Sequence, residues 1–451
     1  MSEVAVKELP NNWQEISLGD LIKLEYGKSL TVKDRVETGE ISVFGSSGNV
    51  GRHDQPLVTE QCLIVGRKGN VGHIFISHKP CWPIDTVYYV IPPKGLDIKY
   101  LYYQLGHLDL GRLDKSTAIP GLNRNDAYKV AFKLAPLDQQ KRIVAKIEEL
   151  FSHIDAGIEA LNKAKQLLKQ YRQSVLKAAV TGELTKEWRE QNKDKLEPAS
   201  QLLERILTER RQKWEEQQLE QFKAKGKMPK NDKWKEKYKE PELPGAEDLP
   251  EIPEGWEWVS LQHVFDVITD GDHQAPPKSD CGIPFLVIGD VNQGVLTFGK
   301  TRFVPQSYYD SLADIRKPLK GDLLYTVVGS YGIPVRVDQD VPFCVQRHIA
   351  ILKPNENISV DYLYHVLSSG FVFKQATEVS TGTAQKTVPL GGLREIKIPL
   401  PSTLEQAKIA NDISSKIDQI ERADENSSKK IMLAGKNKQS ILASAFSGGL
   451  L

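Results

Sequence analysis

Two hydrophobic periods alternate along the chain. Short β-branched and aromatic runs, CLIVG, VYYVI, FLVIG, LLYTVV and HIAIL, are bounded by Gly, Pro, Asn or Asp and predict strands in residues 9–135 and 252–400. After each region the period lengthens to that of a helix. Ile147, Ile154, Leu161, Leu168 and Val175 recur every seven residues, and Leu150, Gly157, Ala164, Tyr171 and Ala178 recur every seven beside them. Such a seam, kept over about four heptads, predicts a coiled coil rather than a surface helix. Near the end of the sequence Ile413, Ile417, Ile420, Ile431, Ala434 and Ile441 form a similar stripe, interrupted by Ser427, Lys430 and Asn437. A stripe so interrupted needs a partner helix, most simply the first one.

The two helices belong to an internal tandem repeat. LPNNWQEISLGDL at 9–21 aligns with IPEGWEWVSLQHV at 252–264, placing Trp13, Ser17 and Leu18 on Trp256, Ser260 and Leu261 at an offset of 243. Residues 134–184 stand over 400–450 at an offset of 266, with Leu134, Gln140, Ile143, Ile147, Ile154 and Gly182 on Leu400, Gln406, Ile409, Ile413, Ile420 and Gly448. A fixed period marks repeated structural units. The plan is α+β: a first domain at 1–135, a long helix at 136–184, a charged insertion with a Pro-rich linker at 185–250, a second domain at 251–400 and a second long helix at 401–451. The insertion, dense in Lys, Glu and Gln with Trp188, Trp214 and Trp234, predicts an exposed charged helix serving as a solvated spacer, with a tryptophan docking surface as the alternative. A helix of about 45 residues would be roughly 68 Å long, about twice the ~34 Å turn of B-DNA.

Composition narrows the class. The 451 residues carry 60 Lys+Arg against 59 Asp+Glu, so total charge points to no partner. Apolar residues make up 40%, enough to bury real cores and to exclude a disordered chain. No run approaches the ~18 apolar residues of a membrane helix, and MSEVAVKELP has no apolar segment or cleavage-like site, so neither secretion nor membrane insertion is expected. Cys62, Cys81, Cys281 and Cys344 are far apart without a CxxC, and read as free buried thiols in a reducing cytoplasm.

Catalytic signals are sparse. Gly294–Thr301, GVLTFGKT, fits the P-loop pattern by letter. Its interior Val295-Leu296-Thr297-Phe298 is strand-like and Pro305 bars an immediate helix, so a hairpin strand is expected, and an NTPase using Lys300 is not. No Asn/Asp-Pro-Pro-aromatic motif, Gly-x-Ser-x-Gly elbow or HExxH occurs. His53, His73, His273 and His348 read as surface or hydrogen-bonded structural residues, and Asp270, Asp272 and His273 as a polar turn rather than a metal site. Neither a catalytic residue nor a bound metal or cofactor is expected.

Polar loops are the better candidates. GSSGNVG at 45–51, GRKGNVG at 66–72 and GSYG at 329–332 allow tight turns that present Ser46, Ser47, Arg67, Lys68, Ser330 and Tyr331 to nucleic acid. DKSTAIPGLNRND and STGTAQKTVPL contribute Lys115, Arg124, Thr383, Gln385 and Lys386, types that reach phosphates and base edges, and Arg347 and Lys374 lie near such stretches. His273, Gln274 and Lys278 complete the candidate DNA-contacting set.

Several motifs occur in a telling order. They are the repeated Pro-x-x-Trp-x-x-x-x-Leu openings at Trp13 and Trp256, ITDGDHQAPPKSDCGIPFLVIGDV at 268–291, PLDQQKRIVAKIEELF at 136–151 with STLEQAKIANDISSKI at 402–417, and the closing KAAVTGEL and LASAFSGGL. With these the whole chain resembles the DNA-specificity subunit of type I restriction-modification systems. The resemblance implies two target-recognition domains, each reading half of a split sequence on double-stranded DNA. It implies two long helices that pair antiparallel as a coiled coil, fix the gap and dock two modification (methyltransferase) subunits. It also implies a subunit that is not itself catalytic: modification subunits methylate adenine with S-adenosylmethionine, and restriction subunits use ATP and Mg2+. Because the two domains differ in sequence, the half-sites are expected to differ. The contrasting reading is a coiled-coil adaptor without direct DNA reading.

Overall fold

The computed structural model describes residues 10, 12–114, 120–245 and 249–450. The chain divides into two compact units, Met1–Ala164 with Glu425–Leu451, and Lys165–Asp424. Each unit is built on one copy of the repeat, and takes its long-helix segments from the start of its own helix and the end of the other copy's.

The strands of the first unit are β1 (Gln14–Ser17), β2 (Glu25–Tyr26), β3 (Ile41–Gly45), β4 (Gly48–His53), β5 (Cys62–Gly66), β6 (Ile74–Ser77), β7 (Cys81–Pro83), β8 (Val87–Val90) and β9 (Ala131–Leu134). They form sheets in the orders β2-β8-β5-β6 and β4-β3-β7, and the pair β1-β9. The expected strand CLIVG is β5, in the interior of the larger sheet, and all its residues are buried. Leu63 and Val65 join the core that includes the helix Ile98–Leu108 and the first long helix, whereas Cys62 and Ile64 join a second core with Val58, Cys81 and Val87. A strand covered on both faces reads as an unbroken apolar run.

The second unit repeats this plan with β10 (Glu257–Ser260), β11 (Phe265–Asp270), β12 (Ile283–Leu286), β13 (Arg302–Val304), β14 (Leu323–Thr326), β15 (Pro334–Arg336), β16 (Cys344–Val345), β17 (Ile349–Pro354) and β18 (Lys397–Leu400). Its sheets run β11-β17-β14-β15 and β13-β12-β16, with the pair β10-β18; β3·β7 and β12·β16 are both parallel. The fastenings between domain and helix are duplicated too. Trp13 Nε1 donates to Gln139 Oε1 and Trp256 Nε1 to Glu405 Oε2, each at 2.8 Å. Tyr100 Oη donates to the Lys133 carbonyl at 2.7 Å, and Tyr362 Oη to that of Pro399 at 2.6 Å. Buried Gln140 and Gln406 accept from the amides of Asp97 and Ser359, the N-cap residues of the helices Ile98–Leu108 and Val360–Leu367.

His365, in the second of those helices, is buried with Nε2 3.2 Å from Ser414 Oγ. Desolvation, then Arg336, opposed by Asp361 and reinforced by Arg172, lowers its pKa to about 4. The unfolded chain takes up the proton near 6.5, whereas the folded chain resists it until about pH 4, so this contribution is complete above pH 6.5 and lost as pH falls through that window. Acidification from 6.5 to 4 should remove on the order of 3 kcal/mol of stability. Thermal melts of His365→Gln should show a shallower pH dependence than wild type over this range.

The long helices, Leu137–Val180 and Thr403–Ala445, contain 44 and 43 residues. In the first unit Lys438 pairs with Asp155 at 2.6 Å and lies over the Phe151 ring. In the second, Lys165 meets Asp424 at 3.4 Å and Arg172 meets Glu421 at 3.6 Å, later positions on one helix facing earlier ones on the other, as antiparallel pairing requires. Burial along the first helix follows Ile147, Phe151, Ile154, Ile158, Leu161, Lys165, Leu168, Arg172, Val175 and Ala179. Of the second expected recurrence, Gly157 and Tyr171 are exposed and so leave the seam, whereas Leu150, Ala164 and Ala178 are half-buried beside it. On the other helix Ile413, Ile417, Ile420, Ser427 and Ile441 are buried or half-buried, while Lys430 and Asn437 are exposed and interrupt nothing. Both helices end at a left-handed glycine, Gly182 (φ 75°) and Gly448 (φ 78°), where a Cβ would overlap the ring of Pro253 or Pro10 respectively.

The charged insertion is not a solvated spacer. Ala199, Leu202, Leu203 and Ile206 of the helix Ala199–Ala224 are buried in the core of the second unit. Their i, i+3, i+4, i+7 spacing is one apolar face over two turns, hidden in the sequence by the charges around it. Arg210 donates to the carbonyls of Gln262 and Phe265, and Trp214 stacks on Trp234. Upstream, Thr185 Oγ1 and Arg189 Nη1 donate to Glu405 Oε1 at 2.7 and 2.8 Å, and Glu405 is 1% exposed.

Candidate nucleic-acid interface

Equivalent loops follow β5 and β14. Residues 66–72 close with Gly72 N donating to Gly66 O (2.9 Å) and Gly66 N to His73 O (2.7 Å); residues 326–332 close with Gly332 N donating to Thr326 O (2.9 Å) and Thr326 N to Ile333 O (3.0 Å). Gly69, Gly72, Gly329 and Gly332 all have φ between 69° and 88°, where glycine alone is unstrained. Lys68 bridges to Gly121 and Val328 to Thr387, which brings the second polar segment of each domain to its loop.

In the first domain Arg67, Lys68 and Arg124 meet around a cleft of about 640 Å3 that also contains Tyr26. The guanidinium carbons of Arg67 and Arg124 lie 4.9 and 5.0 Å from the centroid of the Tyr26 ring, which is 49% exposed. Arg67 Nη1 donates to the Asp85 carbonyl (2.9 Å) and Arg124 Nη1 to that of Leu24 (3.4 Å). The carboxylate in the lining is Asp126, 3.7 Å from Lys129. Ser46, in the β3–β4 turn, is within van der Waals reach of Gly69, and Ser47 is exposed on the same turn. Lys115 lies outside the described residues. Sequence reasoning missed Tyr26, which is distant in sequence from both arginines it joins.

In the second domain Ser330 and Tyr331 occupy the loop tip, and Gly329 N donates to Lys386 O at 3.0 Å. Thr383, Gln385 and Lys386 are exposed, with Gln385 Nε2 against Gly329. Tyr331 stacks on Phe373 at 5.5 Å and an interplanar angle of 7°. Loop positions that hold Arg67 and Lys68 in the first domain hold buried Val327 and Val328 here. Exposed Arg347 precedes His348, whose carbonyl accepts from Val327 N; burial, with Arg347 adding to it, lowers the His348 pKa. Asp272 bridges to Gln346, which brings His273 and Gln274 near Arg347, whereas Lys278 lies exposed farther along and Lys374 pairs with Glu378 at 3.8 Å. Asp270 and Asp272 are tied by Arg316 (3.9 and 3.6 Å), and His273 Nε2 is 3.0 Å from Asp270 Oδ2. Among the described residues no group of three or more side chains fits a metal ion.

Two expectations are corrected. GVLTFGKT is turn and loop rather than a hairpin strand: Gly294 takes φ 79°, Thr297 Oγ1 donates to the Asp290 carbonyl, and Val295 is 57% exposed. Cys281 is exposed in the loop before β12, while Cys62, Cys81 and Cys344 are buried, the first two with sulfurs 3.6 Å apart.

The family model for the type I restriction modification DNA specificity domain matches residues 10–167 and, separately, 253–430. The chain belongs to this family. It is a type I specificity subunit, and specificity subunits are non-catalytic. The specificity subunit of type I restriction enzyme EcoDI of Escherichia coli is 23% identical to it over 447 residues, covering 98% of this chain and 90% of its own length. That of EcoBI, also from Escherichia coli, is 26% identical over 395 residues, covering 86% and 73%. Among solved structures, a chain described under complex assembly and conformational transition of the type I R-M system has a TM-score of 0.66 at 16% identity, covering 98% of this chain and 99% of its own. The HsdS subunit from Thermoanaerobacter tengcongensis has a TM-score of 0.53 at 17% identity, covering 99% of each. The specificity subunit therefore shares their fold. Among its described residues no helix is long and apolar enough to cross a membrane.

Proposed function

We propose that this specificity subunit reads a bipartite target on double-stranded DNA, with residues 1–135 and 251–400 each taking one half-site, and docks two adenine methyltransferase subunits on its helices. The observation that carries this reading is the repeated loop, one backbone frame that displays Arg67 and Lys68 beside Arg124 in one copy and Ser330 and Tyr331 beside Gln385 and Lys386 in the other. A duplicated frame with unlike side chains suits two unlike half-sites. Ser46, Ser47, His273, Gln274, Lys278, Arg347 and Thr383 belong to the same proposed contact set. A helix of 44 residues is about 66 Å long, long enough to set a gap between half-sites. On this reading S-adenosylmethionine, ATP and Mg2+ are used by the partner subunits, in the cytoplasm.

Methylome sequencing of cells that express the chain with its modification subunit tests the proposal. A two-part adenine-methylation motif should appear, and exchanging residues 9–135 for those of another specificity subunit should change one half of it. An assembled complex that yields no motif would leave the adaptor reading in its place. Docking has its own test. Leu167 and Tyr171, one turn apart on the first long helix, are 54% and 47% exposed. Leu167→Glu should weaken titrated binding of the methyltransferase subunit by about tenfold or more without shifting the melting temperature, the behaviour of an interface anchor.

A further inference from the structure

We propose that the first recognition domain reads a guanine through Arg67 and Arg124, which Tyr26 and two backbone carbonyls hold in place. The inference rests on the two-half-site reading above and adds the base class to one half. A guanidinium over an aromatic ring is held by its face, which leaves its in-plane N–H groups for a partner. Arg67 and Arg124 lie over the Tyr26 ring at 4.9 and 5.0 Å, with the Tyr88 ring 5.8 Å from Arg67 and the Tyr128 ring 5.9 Å from Arg124, and each donates from Nη1 to a carbonyl. Arginine has five N–H donors and no acceptor, so donors remain on both. Lys68, exposed on the adjoining loop, adds only donors. Asp126, the carboxylate in the cleft lining, is beside Lys129.

The cleft is therefore a preformed receptor for a group that presents paired acceptors. In the major groove guanine alone offers two adjacent ones, N7 and O6, and an arginine on that edge is the commonest specific contact; adenine pairs its N7 acceptor with a donor. The corresponding loop of the second domain has Val327 and Val328 where Arg67 and Lys68 stand, and displays Ser330 and Tyr331 beside Gln385 and Lys386, with no arginine pair on an aromatic ring among the described residues of that domain. The guanine requirement thus falls on the half-site of the first domain.

The experiment is methylome sequencing of the complete complex with wild-type chain, Arg67→Ala, Arg124→Ala and the exchange of residues 9–135. The wild-type motif should contain a guanine in the half altered by the exchange. Either substitution should relax that position by about 10- to 100-fold and leave the other half intact, which also reports that the variant folds and assembles. A two-part motif with no guanine in the exchanged half overturns the inference and leaves the two-half-site reading standing. So does an unchanged motif whose occupancy falls uniformly, with the salt dependence of DNA binding reduced by about one ion per residue, since that marks a phosphate contact. Absence of any two-part motif in wild type overturns both.

Discussion

Glu405→Ala should destabilise the second unit by about 3–5 kcal/mol, the range for removing one partner of a buried ion pair. Glu405 collects Thr185, Arg189 and Trp256 on its two oxygens, so its loss strands two donors and leaves the Arg189 charge with only the Gly182 carbonyl. Arg189 is the costly one: its side chain is 12% exposed and lies 5.5 Å from the Trp256 ring, with water largely excluded. The repeat supplies the control. Gln139 stands at the equivalent position of the first unit and accepts from Trp13 unaided. Glu405→Gln should therefore be milder than alanine, because it restores the indole acceptor and leaves only the arginine uncompensated. Adding Arg189→Met should recover part of the remainder. Urea unfolding of the three variants checks the ordering, and a loss below about 1 kcal/mol for alanine would show that water reaches the pair.

Gly182→Ala and Gly448→Ala should each remove about 2–5 kcal/mol, large for a single added methyl. Two effects combine. The left-handed backbone at φ 75° and 78° opposes any Cβ by about 1–2 kcal/mol, and the new atom overlaps the ring of Pro253 or Pro10. A proline ring is rigid, so relief requires backbone movement, as in overpacked cores that lose about 1–3 kcal/mol. Pro253→Ala in the Gly182→Ala background should return the overlap part and leave the conformational part. Denaturation midpoints of the single and double variants separate the two, and equal losses with and without the ring would discard the overlap.

The sequence exposed the features that packing makes periodic. β5 is apolar throughout because both its faces are covered, and the repeat surfaced at Trp13 and Trp256 because each indole needs an acceptor from the helix beside it. It concealed those that depend on side-chain fit. Phe151 packs against the core of the first unit, a contact that its spacing in the sequence does not distinguish from that of its half-buried neighbour Leu150. In the insertion, Leu202, Leu203 and Ile206 disappear into a surround of Glu, Gln and Arg, yet two turns suffice to anchor the helix. The candidate site was legible only in part. Arg67, Lys68 and Arg124 could be picked out as cations in polar loops, but their meeting at Tyr26 is a product of sheet topology, with Tyr26 on the edge strand β2 beside β8.

The loops after β5 and β14 keep one backbone closure while sharing almost none of their displayed side chains. Ser330, Gln385 and Lys386 are exposed, and substitutions at exposed positions usually change stability by no more than about 0.5 kcal/mol. Selection can thus rewrite one loop nearly independently of the thermodynamics that keep the domain folded. Each copy of the repeat can drift toward a new vocabulary on its own, while the buried sheet beneath it tolerates far fewer exchanges.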